Sequence, residues 1–167
     1  LTKQFHHRPY ISERSLECVH QGKVRDTFAL PRHPNLLIVV TTDRISTHNI
    51  VHKSTICEKG YSLNQIVVFW MTQGLKDIPN HLVAFGNRIY NYFPSGRYPV
   101  DLRDRAVVVR KLDMLPVEFI FRSRMAGSLW KNFYSKRTPN PYGLDLPENL
   151  KLMSPFEETI FTPTDKS

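Results

Sequence analysis

Two short stretches of this chain carry residues whose types and spacing suit the handling of a negatively charged group. The first runs from Phe121 to Phe133, FRSRMAGSLWKNF. Arg122 and Arg124 stand one residue apart, so a strand would place both guanidiniums on one face, together with Glu118 and Ile120. Gly127 and Ser128 follow, then an apolar pattern of helical spacing. A helix start offers backbone N–H groups and the positive end of the helix dipole to an anion. Arg122 supplies a fork that matches phosphate, and Ser128 supplies a hydroxyl. The same residues also fit a plain serine N-cap beside surface arginines, and the local pattern alone divides evenly between the two.

The second stretch is Gly22-Lys23-Val24-Arg25-Asp26. A glycine turn lets backbone approach a polyphosphate, and Lys23 and Arg25 alternate onto one strand face. A solvent-facing hairpin explains the same residues, and the Walker pattern GxxxxGK[ST] is absent. Asp43-Arg44-Ile45-Ser46 follows directly on an apolar run, a common place for a site, though Asp and Ser also favour simple turns. His48 and His52 stand four apart, but the β-branched residues between them make a poor helix. No metal ligand is therefore assigned.

These residues need elements to hold them. Leu16–Val19 and Val24–Leu30 flank the Gly22 turn as a hairpin. Leu36–Thr41 (LLIVVT) is a β-branched run that fits a buried central strand. Leu63, Ile66, Val67, Trp70 and Met71 recur at helical spacing behind Ser62 as N-cap, with the Trp70 cluster reading as core. Leu82–Phe85, Ala106–Lys111 and Val117–Met125 read as strands. In the last, Val117, Phe119, Phe121, Ser123 and Met125 form the face suited to a core. Residues 86–104 read as a loop or small excursion, and Leu129–Tyr134 as a short helix. From Thr138 onward no long periodic element appears. This order gives an α+β chain with mainly antiparallel sheets.

Composition sets the outer limits. With 167 residues, 41% hydrophobic and 23% charged, the chain suits one domain or two small lobes. Its 23 Lys and Arg against 15 Asp and Glu leave a net charge of +8. That charge favours anionic partners. The basic residues are scattered, which argues against a nucleic-acid stripe; a basic nucleic-acid module is the weakest of three readings. No apolar run is long enough to span a membrane, and no secretory pattern opens the chain. Cys18 and Cys57 carry no metal spacing, and reduced thiols in a cytoplasmic protein are the default reading.

Taken in order, GKVRD, TDRIS, the helix after Gly60 ending in NHLV, VVVRKLDMLPVEFIFRSRMAGSLWKNF, LPENL and IFTPTDK form a set that resembles the phosphoribosylaminoimidazole-succinocarboxamide synthases, the SAICAR synthetases of purine biosynthesis. The likeness covers the chain from about residue 15. It implies a two-lobed α+β fold with an ATP-grasp-like nucleotide cleft. The implied activity is an ATP- and magnesium-dependent ligase that joins L-aspartate to carboxyaminoimidazole ribonucleotide. By position, Gly22, Lys23, Val24 and Arg25 correspond to the nucleotide-phosphate hairpin, and Lys111 and Met114 bracket the connection that contacts adenine. Arg122 and Ser128 correspond to ligands of the ribonucleotide 5′-phosphate. Arg44, Ser46, Glu118, Arg124 and Lys166 fall on the substrate side. The division implied is an N-terminal arm at 1–14, a nucleotide-binding lobe at 15–112 and the start of a substrate-binding lobe at 113–167.

Three departures from the family pattern stand out. Thr47, His48 and Asn49 follow DRIS where the family has Ala, an aromatic and Asp. Asp165 stands where a hydroxyl residue is expected. The family also continues for roughly another domain, and that portion carries the expected magnesium ligands. The likeness therefore implies an incomplete fragment. The alternative is a relative that keeps its phosphate sites and has lost catalysis.

Overall fold

A computed structural model describes residues 11, 16–48, 50–96 and 98–165. Asn49, Lys166 and all of the span 1–14 except Ile11 lie outside them. The chain forms two compact units, Leu1–Leu112 and Asp113–Ser167.

The first unit is built on a five-stranded antiparallel sheet in the order β1-β2-β3-β7-β6. Its strands are β1 (Cys18–Gln21), β2 (Arg25–Ala29), β3 (Leu36–Thr41), β6 (Leu82–Phe85) and β7 (Ala106–Arg110). LLIVVT is the middle strand, as its β-branched run predicts. It pairs with β2 through Arg25↔Thr41 to Ala29↔Leu37, and with β7 through Leu36↔Arg110 to Val40↔Ala106. Ile38 and Val40 of β3, Phe28 of β2 and Val108 of β7 are fully buried. Each buried side chain of this size contributes about 1.5–3 kcal/mol. Ile11, within the span read from sequence as an arm, is 1% exposed and joins this core.

A two-stranded ribbon, β4 (Arg44–Thr47) and β5 (Ile50–Thr55), leaves the end of β3. His48 sits in its turn at φ 48°, and His52 pairs with the Thr47 hydroxyl at 2.6 Å. The following helix α1 (Lys59–Phe69) starts earlier than Ser62 predicts. Glu58 holds the cap position without a side-chain bond, and Asp43 Oδ1 accepts the Gly60 N–H at 2.8 Å. The acceptor that ties down this helix start thus comes from the bend between β3 and β4, which local sequence reading cannot reveal. Asn64 is the buried centre of the helix face, donating to the Asp104 carbonyl at 3.1 Å.

Trp70 is not core. It is 50% exposed, as are Ile66 at 52% and Phe69 at 55%. Trp70 begins a π-helical turn (Trp70–Gly74), and its ring lies where a Cβ on Gly74 would stand, 2.4 Å away. The span read as a loop holds a 3₁₀ segment (Gly86–Tyr92) and the short helix α2 (Leu102–Arg105).

The second unit has two antiparallel ribbons. The run Val117–Met125 is not one strand. It divides into β8 (Val117–Glu118) and β9 (Phe121–Arg124). β9 pairs with β10 (Pro155–Phe161), and β8 pairs with β11 (Thr164–Asp165). Neither β10 nor β11 carries the periodic signal of a buried strand, so sequence reading leaves that region irregular. The expected core face is instead exposed over most of its length. Val117, Phe119 and Phe121 are exposed, and only Met125 is fully buried. Phe119 and Phe121 pack instead against Phe161 across the ribbon, with centroids 5.6 and 5.0 Å apart.

Candidate functional site

The second unit gathers its polar side chains where β9 meets the following helical segment. Met125, buried at the end of β9, exchanges backbone bonds with Met153 and Ser154. The chain then turns at Gly127, whose φ of +62° is the left-handed region that glycine enters without penalty. Arg122 reaches back over this turn. Its Nε donates to Thr162 Oγ1 at 2.9 Å, its Nη1 to the Ala126 carbonyl at 3.0 Å, and its Nη2 to Ser128 Oγ at 2.9 Å. A Cβ on Gly127 would lie 3.0 Å from Nη1, so the absence of a side chain there makes room for the guanidinium.

The structure therefore brings Arg122 and Ser128 into direct contact. Their bonding differs from the helix-start picture. Ser128 makes no side-chain cap bond and already has helical φ; its hydroxyl accepts from arginine instead. The segment that follows is a π-helical turn (Leu129–Phe133) and a 3₁₀ turn (Tyr134–Lys136). So short a helical piece adds little dipole, and the positive potential here comes from the guanidinium. Thr162 completes the cradle. It is fully buried, and its hydroxyl accepts from Arg122 while donating to the Ile120 carbonyl at 3.2 Å. Sequence reasoning missed it; its place just before Pro163 in the IFTPT stretch is the available signal.

Among the described residues no carboxylate forms an ion pair with Arg122. Three neutral oxygens orient it, and its charge is left uncompensated. Arg124, exposed, donates to the Met153 carbonyl at 3.1 Å. Glu118 is exposed on β8 opposite Thr164. A cavity of about 650 Å³ beside the helical turns is lined by Trp130, Tyr134, Arg137 and Glu148, and includes neither Arg122 nor Thr162.

In the first unit the Gly22–Arg25 turn closes the β1–β2 hairpin, with the Gly22 N–H donating to the Arg25 carbonyl at 2.7 Å. Lys23 and Arg25 are exposed. Arg44 is placed quite differently from Arg122. It is 4% exposed and faces Asp26, itself fully buried. Nη1 meets Asp26 Oδ2 at 3.1 Å and Nη2 meets Oδ1 at 2.5 Å. Nε donates to the Lys23 carbonyl at 3.2 Å and Nη2 to the Gly22 carbonyl at 3.0 Å. Two guanidiniums that look alike in sequence thus differ: one is neutralised internally and the other is not.

Asp43 joins α1 to α2, accepting from Gly60 N–H and from Arg105 Nη1 at 3.0 Å. Ser46 is half-buried on β4 opposite Val51. Lys111 is exposed and its N–H donates to the Asn35 carbonyl at 2.8 Å. Met114 is 78% exposed. Among the described residues no three His, Cys, Asp or Glu side chains gather into a set able to hold a metal ion. No helix among them is long and apolar enough to cross a membrane.

Comparison with known proteins places these motifs in context. The family model described as SAICAR synthetase matches residues 18–167. The phosphoribosylaminoimidazole-succinocarboxamide synthase of Saccharomyces cerevisiae is 37% identical over 158 residues, covering 91% of this chain and 50% of its own length. That of Maridesulfovibrio salexigens is 38% identical over 156 residues, covering 92% of this chain and 50% of its own. The structure of the Saccharomyces cerevisiae SAICAR synthase complexed with SAICAR superposes with a TM-score of 0.77 at 37% identity. It covers 90% of this chain and 51% of the other. A type-2 SAICAR synthetase in complex with ADP, 22% identical, gives a TM-score of 0.56 over 89% of this chain and 50% of the other, a likeness of fold. The chain spans about half the length of the curated relatives it matches.

Proposed function

The chain belongs to the SAICAR synthetase family, and on that premise we propose that it is the phosphate-gripping part of an ATP-dependent carboxylate–amine ligase. The substrates are carboxyaminoimidazole ribonucleotide, L-aspartate and ATP. The γ-phosphoryl group of ATP passes to the ribonucleotide carboxylate, which gives an acyl phosphate and releases ADP. The aspartate amine then attacks the acyl carbon, inorganic phosphate leaves, and the amine proton goes to water. The burden on the protein in such chemistry is positioning and charge neutralisation.

The single observation that carries the reading is the Arg122 cradle. A guanidinium held by three neutral oxygens, with no carboxylate partner among the described residues, offers its charge and its two remaining Nη N–H donors to an anion. The ribonucleotide 5′-phosphate is the group assigned to it, with Ser128 as a further hydroxyl contact. Arg124 and Glu118 are assigned to the substrate surface of the second unit, together with Lys166 outside the described residues; Ser46, in the first unit, carries a substrate assignment of its own. In the first unit, Lys23 and Arg25 are assigned to the nucleotide phosphates, with Gly22 and Val24 allowing close backbone approach. Lys111 and Met114 are assigned to the adenine side. Magnesium would offset phosphate charge when bound; the described residues provide no cluster for it, and each role above belongs to the chain itself. The assigned setting is cytoplasmic.

The test is calorimetric titration of the chain with ADP and with carboxyaminoimidazole ribonucleotide. Both should bind, and Arg122→Ala should remove the second while sparing the first. Binding of the ribonucleotide that is indifferent to Arg122→Ala would overturn the assignment. For a protein of the relatives' full length, amide formation must require both ATP and L-aspartate.

A further inference from the structure

We propose that the buried Arg44–Asp26 pair fixes the phosphate-facing orientation of the Gly22–Arg25 turn, making both of them positioning residues for the nucleotide. The proposal rests on the nucleotide reading above and reassigns Arg44 from substrate contact to support.

The geometry of the turn carries it. Three consecutive carbonyls are drawn to one side. Those of Gly22 and Lys23 accept from Arg44 at 3.0 and 3.2 Å. That of Val24 accepts from the Thr42 N–H at 3.0 Å and the Thr42 hydroxyl at 2.9 Å. In a planar trans peptide the N–H points opposite to the C=O. The N–H groups of Lys23, Val24 and Arg25 must therefore face away from Arg44 and Thr42. Successive N–H groups turned to one side form the concavity that binds anions in phosphate loops. Rotation of any of these peptides would present a carbonyl oxygen to the phosphate instead.

The energetics point the same way. Asp26 is fully buried and Arg44 is 4% exposed. A pair taken this far out of water gains little over a well-packed apolar pair, so net stability does not explain it. What a pair of methyl-bearing side chains could not do is donate to two carbonyls of the neighbouring turn. Asp26 holds the guanidinium by two bonds, and Nε and Nη2 are thereby aimed at Lys23 and Gly22. Neutralisation by Asp26 also keeps Arg44 from competing for the phosphate. The strand register assists: Asp26 points inward on β2, while Arg25 beside it is exposed.

The test uses the complete chain, with ADP and inorganic triphosphate as probes of the turn and ribose 5-phosphate as probe of the Arg122 cradle. Arg44→Lys keeps the charge but loses the fork. If it folds by circular dichroism, ADP and triphosphate should each weaken by about tenfold or more, the loss of one charge-assisted contact, with ribose 5-phosphate affinity within twofold. Thr42→Val removes the hydroxyl bond to the Val24 carbonyl and the longer one accepted from the Arg44 N–H at 3.4 Å, and should give a smaller loss, about threefold. Unchanged ADP affinity in folded Arg44→Lys overturns the proposal, as does an equal loss for all three probes, which would mark a general structural defect. Should Arg44→Lys not fold, Thr42→Val decides, and unchanged ADP affinity there overturns the proposal. Failure of the unsubstituted chain to bind ADP is the separate result that would overturn the nucleotide reading itself.

Discussion

Replacing Gly127 by alanine tests the Arg122 cradle without touching any of its hydrogen-bonding atoms. Gly127 has φ +62°, and its Cβ would lie 3.0 Å from Arg122 Nη1. The left-handed conformation costs alanine about 1–2 kcal/mol. The contact is with the far end of a flexible side chain, so the guanidinium moves by a few tenths of an ångström. That movement strains the Nη1 bond to the Ala126 carbonyl, a further cost of about 1 kcal/mol. The total of about 2–3 kcal/mol should lower Tm by roughly 4–12 °C for a chain of this size. Gly143→Ala supplies the control, because Gly143 has φ +66° with nothing within 4 Å of its Cβ. It should cost the backbone term alone. The difference between the two variants isolates displacement of the guanidinium. It should appear as about 1 kcal/mol in urea unfolding and about a tenfold loss of ribose 5-phosphate affinity for Gly127→Ala only. Equal stabilities, with ribose 5-phosphate affinity unchanged in both, would refute the cradle as described.

Other substitutions probe the same frame. Arg122→Lys leaves a single compact nitrogen that cannot span Thr162, Ala126 and Ser128 as the fork does, and should weaken ribose 5-phosphate by about thirtyfold or more while ADP affinity holds, read by calorimetry. Gly60→Ala places a Cβ 2.4 Å from the Thr41 carbonyl and 2.9 Å from Arg105 Nη1. Overpacking of this kind should cost about 2–3 kcal/mol, visible as a lowered Tm. Burial raises the Tyr98 phenol above 10.0. In alkali the unfolded chain therefore loses that proton first, so this contribution to stability is intact below pH 10 and is lost as pH rises through the folded value. Ultraviolet titration of tyrosinate should show a phenol that ionises above the ordinary range, and its absence in Tyr98→Phe identifies the residue.

Elements with a strong local signal were legible before the structure. The β1–β2 hairpin, the central LLIVVT strand and β7, buried from Ala106 to Val109, follow from period, β-branching and a glycine turn. The contact of Arg122 with Ser128 agrees with the strand-to-helix spacing. What stayed hidden depends on partners distant in sequence. Asp43 anchors the start of α1 from across 17 residues, and Thr162 orients Arg122 from across 40. Phe119 and Phe121 look like core by alternation, yet they lie against Phe161 on a two-stranded ribbon and stay exposed. Arg44 and Arg122 cannot be told apart by residue type; only the carboxylate beside one of them separates their roles.

The place of LLIVVT between β2 and β7 has a consequence for the newly made chain. Its partner on one side, β2, leaves the ribosome just ahead of it, but Ala106–Arg110 follows only after roughly 70 more residues. At about 5–20 residues per second, that is roughly 3–14 s of synthesis. Throughout this interval an apolar ribbon has an unmated edge, the form most prone to joining another chain. Slowing translation beyond Thr41 should therefore favour aggregation of nascent chains, and chaperone binding should peak before Arg110 emerges.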